Sequence, residues 1–548
     1  MEQAKLLPFV NPATGEQFGQ VMFTPPAEAR TMLAELRQLA PAWARRPAAE
    51  RARVLRKFQA ALVDARDTIS VTITQDTGKS RQDSIIETFV MLDVVSNACA
   101  NAARWLKPEH TPRGLYFTKE CWIEHQPYGV VAVISPWNYP VLLAIVPMVS
   151  ALLAGNTVIL KPSEVSAATG ALIERLIQRV PELAPYVRVA HGDGAVGAAI
   201  VGARPDFIFL TGSTATGKKV ACAAAEHLIP LACELGGKDP MIVLEDADLA
   251  AAAFWGAWGA CFNAGQSCVG VERVYVAERV YDAFVAEVVR AAAEIKHGYS
   301  LAPDGPYHMG PITFPRQMDI IEEHMADALA KGARVLVGGQ REGNFYPPTV
   351  LVDVTHDMLI MRDETFGPII PIMKVKDEAE AIAMANDSAF GLTGYVWSGE
   401  VARARHVASE LNVGMVLVND TISHFGVPSL AIGGVKDSGF GRTHGRWGLL
   451  QFTQSRSVAM GQPPAAWEIT TILRMPGHYN LASRLIGLLY GRRSDQILAP
   501  VAEAVHEQIE ALRVAPRRVR QFALAAGVIG AISALAFALG LWSRKRGA

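Results

Sequence analysis

One thiol in this chain stands where a thiol could do chemistry. The stretch FNAGQSCVGV, residues 262–271, sets Cys268 in a Gly/Gln/Ser turn between an Ala-rich helical run and the strand-like VERVYVA. A buried cysteine is usually a small hydrophobe, and its free thiol pKa of about 8.5 falls only in an electropositive or helix-terminal setting. Other spacings suit phosphate and sugar. LTGSTATG places Gly212, Ser213 and Gly217 at a strand-to-helix turn, where backbone N–H groups and hydroxyls meet a helix N-terminus suited to phosphate. LKPSE puts Lys161 and Glu164 at the C-terminal end of a strand, the position at which open α/β sheets bind ligands. A carboxylate there can accept both hydroxyls of a ribose. Together these residues outline a site for an adenine dinucleotide.

Two further patterns compete for that role. GDGAVG, Gly192 to Gly197 and including Gly194, fits G-x-G-x-x-G after a strand, but no clear acidic ribose reader follows about 20 residues later. TGKS at 77–80 resembles the end of a phosphate loop. The full motif needs a glycine at position 73, where the chain has Ile73, and no strand precedes it.

The elements that must position these residues follow from periodicity. Residues 26–106 repeat apolar side chains every three or four positions and read as helices. From there to Leu235, strands (VVAVIS, NTVILKP, YVRVAHG, FIFLTG, PLACELG) alternate with helical or small-residue segments. That order means a parallel sheet with right-handed crossovers. A second such block starts at PMIVLEDADL and continues through VYVAERV, ARVLVGG, IIPIMKV and VGMVLVN. The chain of 548 residues has a formal net charge of -1, which offers no bulk attraction for nucleic acid. Its 6 cysteines lack CxxC spacing, so a zinc site or disulfide framework is not expected, nor is any other metal, and a reducing compartment fits. The N-terminus has no basic segment followed by an apolar one, so no secretory signal is expected.

SPWNYP, KPSE, GSTATG, CELGGK, NAGQSC, ETFGP and GGVKDSGFGR occur in the order and rough spacing of the aldehyde dehydrogenase superfamily, which the chain resembles over about residues 8–460. The resemblance implies an α/β fold with two Rossmann-like parallel-sheet domains and a β oligomerisation arm. The boundaries it suggests are 1–108 with 129–236 for cofactor, 237–446 for catalysis, and 109–128 with 447–462 for the arm. It implies NAD as cofactor, with NADP possible, and a homodimer or homotetramer. Cys268 matches the nucleophile that attacks an aldehyde carbonyl. The Asn138 amide and the Cys268 backbone N–H match the oxyanion donors, and Glu234 matches the base that hydrolyses the thioester. Glu364 and Phe366 match the residues that hold the nicotinamide ribose and ring, Trp137 lines the cofactor side, and Gln317 is expected among the cofactor-binding residues. The 212–217 glycine pair matches the pyrophosphate, and Gly194 lies toward the adenine. Glu164 favours NAD, since it would repel a 2′-phosphate. Where the family often has PFGG this chain has LAIGG, which puts Ile432 at an expected pocket wall. The helix after Asn138 is apolar, which speaks against a charged semialdehyde.

The C-terminal region adds a setting. Residues 463–520 read as a linker with amphipathic helices. Phe522 to Trp542 is a run of 21 residues without a charge, flanked by Arg517, Arg518 and Arg520 and by Arg544, Lys545 and Arg546. As a helix it spans roughly 31 Å, about the bilayer hydrocarbon thickness. A membrane helix over 521–543 is expected, as in fatty aldehyde dehydrogenases, with the catalytic body on the cytoplasmic face. The substrate expected with it is a medium-to-long-chain or other apolar aldehyde. The alternatives are a semialdehyde or aromatic aldehyde dehydrogenase, a CoA-acylating enzyme, which Glu234 argues against, and an inactive membrane scaffold.

Overall fold

The structure is a computed structural model that describes residues 5–461, apart from 115, 117 and 118, and single positions between 479 and 490. The expected membrane helix at 521–543 and most of 463–520 lie outside the described residues. Two units separate. The larger, Met1–Glu109 with Ile123–Ser457, contains every candidate site residue. The smaller, His110–Trp122 with Val458–Ala548, carries the ends of strands Lys119–Pro127 and Thr453–Gly461 among its described residues.

The large unit holds two sheets. In the first, strands Leu231–Glu234, Phe207–Thr211, Val130–Ile134, Thr157–Lys161 and Val187–Val189 lie in that order and run parallel. Gly439–Phe440 joins antiparallel beside Leu231–Glu234. Side chains alternate between the two faces of a strand, and both faces here are buried. Val130, Ala132, Ile159, Ile208 and Leu210 meet Ala29, Leu33 and Leu36 of the helix Pro26–Ala44. Val131, Val133, Val158 and Leu160 face the other core with the helix Leu142–Ala154. Burial on both sides is why these strands read as continuous apolar runs. The second sheet orders Arg334–Val337, Thr349–Val352, Ile369–Val375, Val271–Ala277, Asp239–Val243, Thr393–Trp397 and Met415–Val418, all parallel except the first. Thr349–Val352 and Thr393–Trp397 are strands that the sequence reading passes over.

The register aligns the functional ends of the first sheet. Ile134 pairs with Lys161 and with Leu210, and Thr211 pairs with Glu234. Asn138, Lys161, Gly212 and Glu234 therefore follow or occupy the C-terminal ends of four adjacent parallel strands, where α/β sheets place their ligands.

The phosphate-loop lookalike turns out to be a helix-to-helix joint. Gly78 ends the helix Arg66–Thr77 in the left-handed region, at φ 76°, and Ser80 caps the helix Arg81–Trp105 by accepting from the Asp83 N–H at 3.1 Å. Lys79 between them points inward. Among the described residues Arg81–Trp105 is the one helix long and apolar enough to cross a membrane by length and composition. It packs instead against helices Ala48–Asp64, Arg66–Thr77 and Leu142–Ala154, as a core element of this unit.

Candidate active site

Asn138 sits just past the strand Val130–Ile134, 5% exposed, and its position is set from three sides. Lys79 Nζ donates to its backbone carbonyl at 2.8 Å and to Glu87 Oε2 at 2.6 Å, with both ionic side chains fully buried. Glu87 Oε1 accepts the N–H groups of Val141 at 2.9 Å and Leu142 at 3.1 Å, so the same carboxylate secures the start of the apolar helix Leu142–Ala154. Lys79 also lies 4.0 Å from the centre of the Tyr139 ring, a cation–π contact. Asn138 Nδ2 donates to the Gln266 carbonyl at 3.1 Å, which uses one of its two hydrogens.

That carbonyl belongs to the turn carrying Cys268. Asn263 and Ala264 adopt φ of 53° and 56°, and Gly265 follows at 71°. A Cβ on Gly265 would lie 2.2 Å from the Gly367 backbone, so glycine is required there. Asn263 Nδ2 donates to the Asn138 carbonyl at 3.0 Å and to the Gln266 carbonyl at 3.1 Å, while its backbone N–H donates to Asp83 at 3.2 Å. Gln266 Oε1 accepts the Thr313 N–H at 2.8 Å. The GQSC turn is thus tied to the Asn138 loop by hydrogen bonds.

The electrostatics of the thiol run against the setting that a thiolate needs. Burial, then the carboxylates of Asp239, Glu364 and Glu234, push the Cys268 thiol well above its ordinary range, and its own backbone N–H opposes this only in part. Glu234, at the end of Leu231–Glu234, is 9% exposed, and its Oε1 has no hydrogen-bond partner. Burial raises its carboxyl well above the usual value, with Arg442 as the opposing charge. The motif GGVKDSGFGR forms its wall. Gly439 pairs with Glu234, the Leu235 N–H donates to the Ser438 carbonyl at 3.1 Å, and a Cβ on Gly433 would stand 2.9 Å from Glu234 Oε1.

On the cofactor side, a second buried ion pair builds the loop of ETFGP. Lys238 Nζ donates to Glu272 Oε2 at 2.6 Å and to Thr365 Oγ1 at 3.0 Å. Glu272 in turn accepts the N–H groups of Thr365 and Phe366, both at 2.8 Å. Phe366, at φ 52°, meets Trp137 edge-on with ring centres 5.7 Å apart, and Gln317 Nε2 donates to the Thr365 carbonyl at 2.7 Å. Glu364 Oε1 accepts the Gly237 N–H at 2.9 Å, and burial with the nearby Glu272 raises its carboxyl to about 8.

The strand ends fit a dinucleotide. Lys161 bonds exposed Glu164 at 2.8 Å. Ser213 caps the helix Thr214–Ala225, and nothing lies within 4 Å of where a Cβ on Gly212 would stand, which leaves room at that helix start. Gly217 has a packing role, since a Cβ there would meet Leu235 at 2.7 Å. The N-terminus after Gly194 differs: Asp193 caps it by accepting the Ala195 N–H at 3.0 Å and pairs with Lys5 at 3.3 Å. Among the described residues no group of three His, Cys, Asp or Glu side chains could hold a metal ion.

Cys268 opens on a pocket of about 160 Å³. Its walls come from the helix Arg81–Trp105 (Ile86, Val90), the start of Leu142–Ala154, the aromatic residues Tyr139, Trp258 and Phe262, and the turn Ser423–Gly426. Among the described residues Glu87 is its one charged lining residue, and that carboxylate is spent on Lys79 and two backbone N–H groups. Ile432 is not in the lining. It is 2% exposed and held by an antiparallel bridge to Thr443, while Ile422 and Phe425 form that wall. The sequence reading also missed Lys79, Glu87, Lys238, Glu272 and Arg442. Lysines and glutamates at these spacings read as solvated surface until the fold buries them.

The aldehyde dehydrogenase family model matches residues 1–458, and the chain belongs to that family. It is 42% identical over 447 residues to 4,4'-diapolycopene aldehyde oxidase of Methylomonas sp, covering 81% of this chain and 84% of that one. It is 35% identical to a putative NADP(+) succinate-semialdehyde dehydrogenase of Mycobacterium ulcerans, over 85% of this chain and 93% of that one. Among solved structures, betaine aldehyde dehydrogenase of Staphylococcus aureus in complex with NAD+ superposes with a TM-score of 0.80 at 30% identity, covering 84% and 96%. The protein is an NAD(P)-dependent aldehyde dehydrogenase.

Two predictions follow the geometry. Lys79→Met leaves Glu87 buried and unpaired, which costs about 3–5 kcal/mol, and also removes the donor that fixes Asn138. Adding Glu87→Gln is expected to restore part of the lost Tm while kcat stays about 10-fold or more below wild type. Recovery of both together would mean that the pair only stabilises. Glu234→Gln tests the raised carboxyl. The folded state retains the Glu234 proton above the ordinary carboxyl range while the unfolded chain releases it, so this residue's contribution to stability falls as pH rises from about 4.5. The variant is expected to gain Tm over wild type by a few degrees at pH 9 and by less at pH 6, measured by scanning calorimetry.

Proposed function

We propose that this enzyme oxidises an apolar aldehyde to its carboxylic acid through Cys268, Asn138 and Glu234. The observation that carries the substrate class is the pocket at Cys268, whose one charge among the described residues is neutralised inside the wall. Among the described residues no lysine or arginine lines it, so the carboxylate of a semialdehyde finds no partner there. An alkyl or polyene chain finds apolar walls, worth about 25 cal/mol per Å² of surface buried.

The Cys268 thiol gives its proton to solvent, and Sγ attacks the carbonyl carbon. The carbonyl oxygen gains negative charge and receives the second Nδ2 hydrogen of Asn138 and the Cys268 backbone N–H. Each such donor is typically worth about 10²–10³ in rate. NAD or NADP, when bound, supplies the acceptor for the hydride released as the tetrahedral adduct collapses to a thioester. Trp137, Gln317, Glu364 and Phe366 would hold the nicotinamide side, Gly212 and Ser213 the pyrophosphate, and Lys161 and Glu164 the adenosine ribose. Gly194 would lie toward the adenine, and Gly217 lets the helix that starts after Ser213 pack on Leu235. Glu234, once ionised, then takes a proton from water, the hydroxide displaces the sulfur as a thiolate, and the proton on Glu234 returns to that sulfur or to solvent as the acid leaves. Burial holds both Cys268 and Glu234 in their protonated forms, so kcat/KM is expected to climb as pH rises above neutrality.

Residues 521–543 anchor the enzyme in a membrane with its body on the cytoplasmic side, where lipid supplies the aldehyde. Segments 109–128 and 447–462 form the arm of a homodimer or homotetramer. The uncharged run with basic flanks and the strands at 119–127 and 453–461 support these two points.

The test is NADH formation by detergent-solubilised protein over straight-chain aldehydes of increasing length and over succinate semialdehyde, beside Cys268→Ala. The reading requires kcat/KM to rise with chain length, to be about 10-fold or more lower for the semialdehyde, and to vanish in the variant. Equal or better turnover of the semialdehyde would remove the substrate proposal. For the cofactor, Glu164→Gln is expected to raise the NADP-to-NAD ratio of kcat/KM several-fold, and an unchanged ratio would place 2′-phosphate discrimination elsewhere.

A further inference from the structure

The walls of the Cys268 pocket differ in kind. Ile86, Val90, Leu142, Leu143 and Ile422 supply aliphatic surface, whereas one stretch of wall is a connected series of rings. Tyr139 stacks on Phe262 with centres 6.2 Å apart and planes 25° from parallel, and Phe262 meets Trp258 at 4.8 Å. All three line the pocket. The series continues outward from Trp258 to Trp255 at 5.4 Å and on to Phe254 at 5.3 Å, both edge-on. Trp255 is 39% exposed and Phe254 53%. Rings that served only as core filling would meet side chains on every face and would not run to the surface. Here three of them face open volume next to the reacting sulfur.

A flat π system packed against such rings gains about 0.5–1.5 kcal/mol per ring beyond its buried area, roughly 2- to 13-fold in binding. A saturated chain of equal length receives the area alone. We propose that this aromatic wall selects an extended conjugated aldehyde over the saturated aldehyde of the same carbon count. The inference rests on the reading of this pocket as the aldehyde site, and it narrows the substrate from apolar chains in general to planar ones.

Conjugation also lowers the electrophilicity of a carbonyl, so raw rates mix binding with reactivity. Comparing variants cancels the reactivity. Steady-state kcat/KM is measured for a saturated straight-chain aldehyde and its all-trans conjugated counterpart in wild type, Trp258→Leu and Phe262→Leu. Leucine keeps the wall apolar and removes the ring. The conjugated-to-saturated ratio is expected to fall about 2- to 13-fold in each variant, whatever the change in the saturated substrate itself, which also loses contact with the removed ring. A ratio unchanged in both variants overturns the inference. Independently of folding in the variants, the matched primary amides, which cannot be oxidised, are compared as inhibitors of the wild-type enzyme. The conjugated amide is expected to inhibit about 10-fold more tightly, and equal inhibition overturns the inference by itself. If neither aldehyde is turned over by wild type while a charged aldehyde is, the reading of the pocket falls, and this inference with it.

Discussion

Lys79 and Glu87 form an ion pair that water does not reach, and the catalytic side of the site is built on it. Removing two such charges from water costs several kcal/mol each, which their attraction repays only when their remaining hydrogen-bonding capacity is also met. Here it is met. Lys79 uses the Asn138 carbonyl and the face of Tyr139 beside Glu87, and Glu87 takes the first two N–H groups at the start of an apolar helix. The pair cannot shift without unsatisfying one of them. Asn138 is thereby fixed, and through Asn263 and Gln266 so is the turn that carries Cys268. Lys238 and Glu272 repeat the device on the cofactor side, holding the backbone of Thr365 and Phe366. Two buried lysine–glutamate pairs thus hold two loops that contain no regular secondary structure.

The same exclusion of water explains the protonation states. Cys268 and Glu234 lie where ionisation is disfavoured by burial, and Cys268 also by neighbouring carboxylates. A thiol kept neutral is protected from adventitious oxidation, since the thiolate is the reactive form. A carboxyl whose proton affinity lies above the usual range is the stronger base once ionised, which suits the proposed removal of a proton from water. An apolar pocket would therefore serve the proposed chemistry as well as the proposed choice of substrate. Its desolvating walls would oppose a charged aldehyde for the same reason that burial against residues 433–442 holds Glu234 protonated.

How much of this could be read from residues alone follows from where each signal lies. The glycine turns, LKPSE and the Cys268 turn are local backbone devices, and the alternation of strands and helices exposes the first sheet and most of the second. Thr349–Val352, after two prolines, and Thr393–Trp397, opened by Thr and Gly, carry too short an apolar run to stand out. Lys79 was legible only as a failed phosphate loop, because its partners Glu87 and Asn138 meet it in the fold and not along the chain. Ile432 looked like a pocket wall by its position in a motif, yet its bridge to Thr443 turns it into the interior. The wall of Glu234 comes from residues 433–442, some 200 positions away. No local pattern announces that approach, although the spacing of its glycines marks a backbone that comes close to something.

The most direct measurement is intact-protein and peptide mass spectrometry of Glu234→Gln after brief exposure to NAD+ and a long-chain aldehyde. The account requires an added acyl mass on the peptide containing Cys268, formed with about one NADH per site and persisting because water is no longer activated. Absence of that adduct, with the variant folded and binding NAD+, would contradict the roles given to Cys268 and Glu234 together.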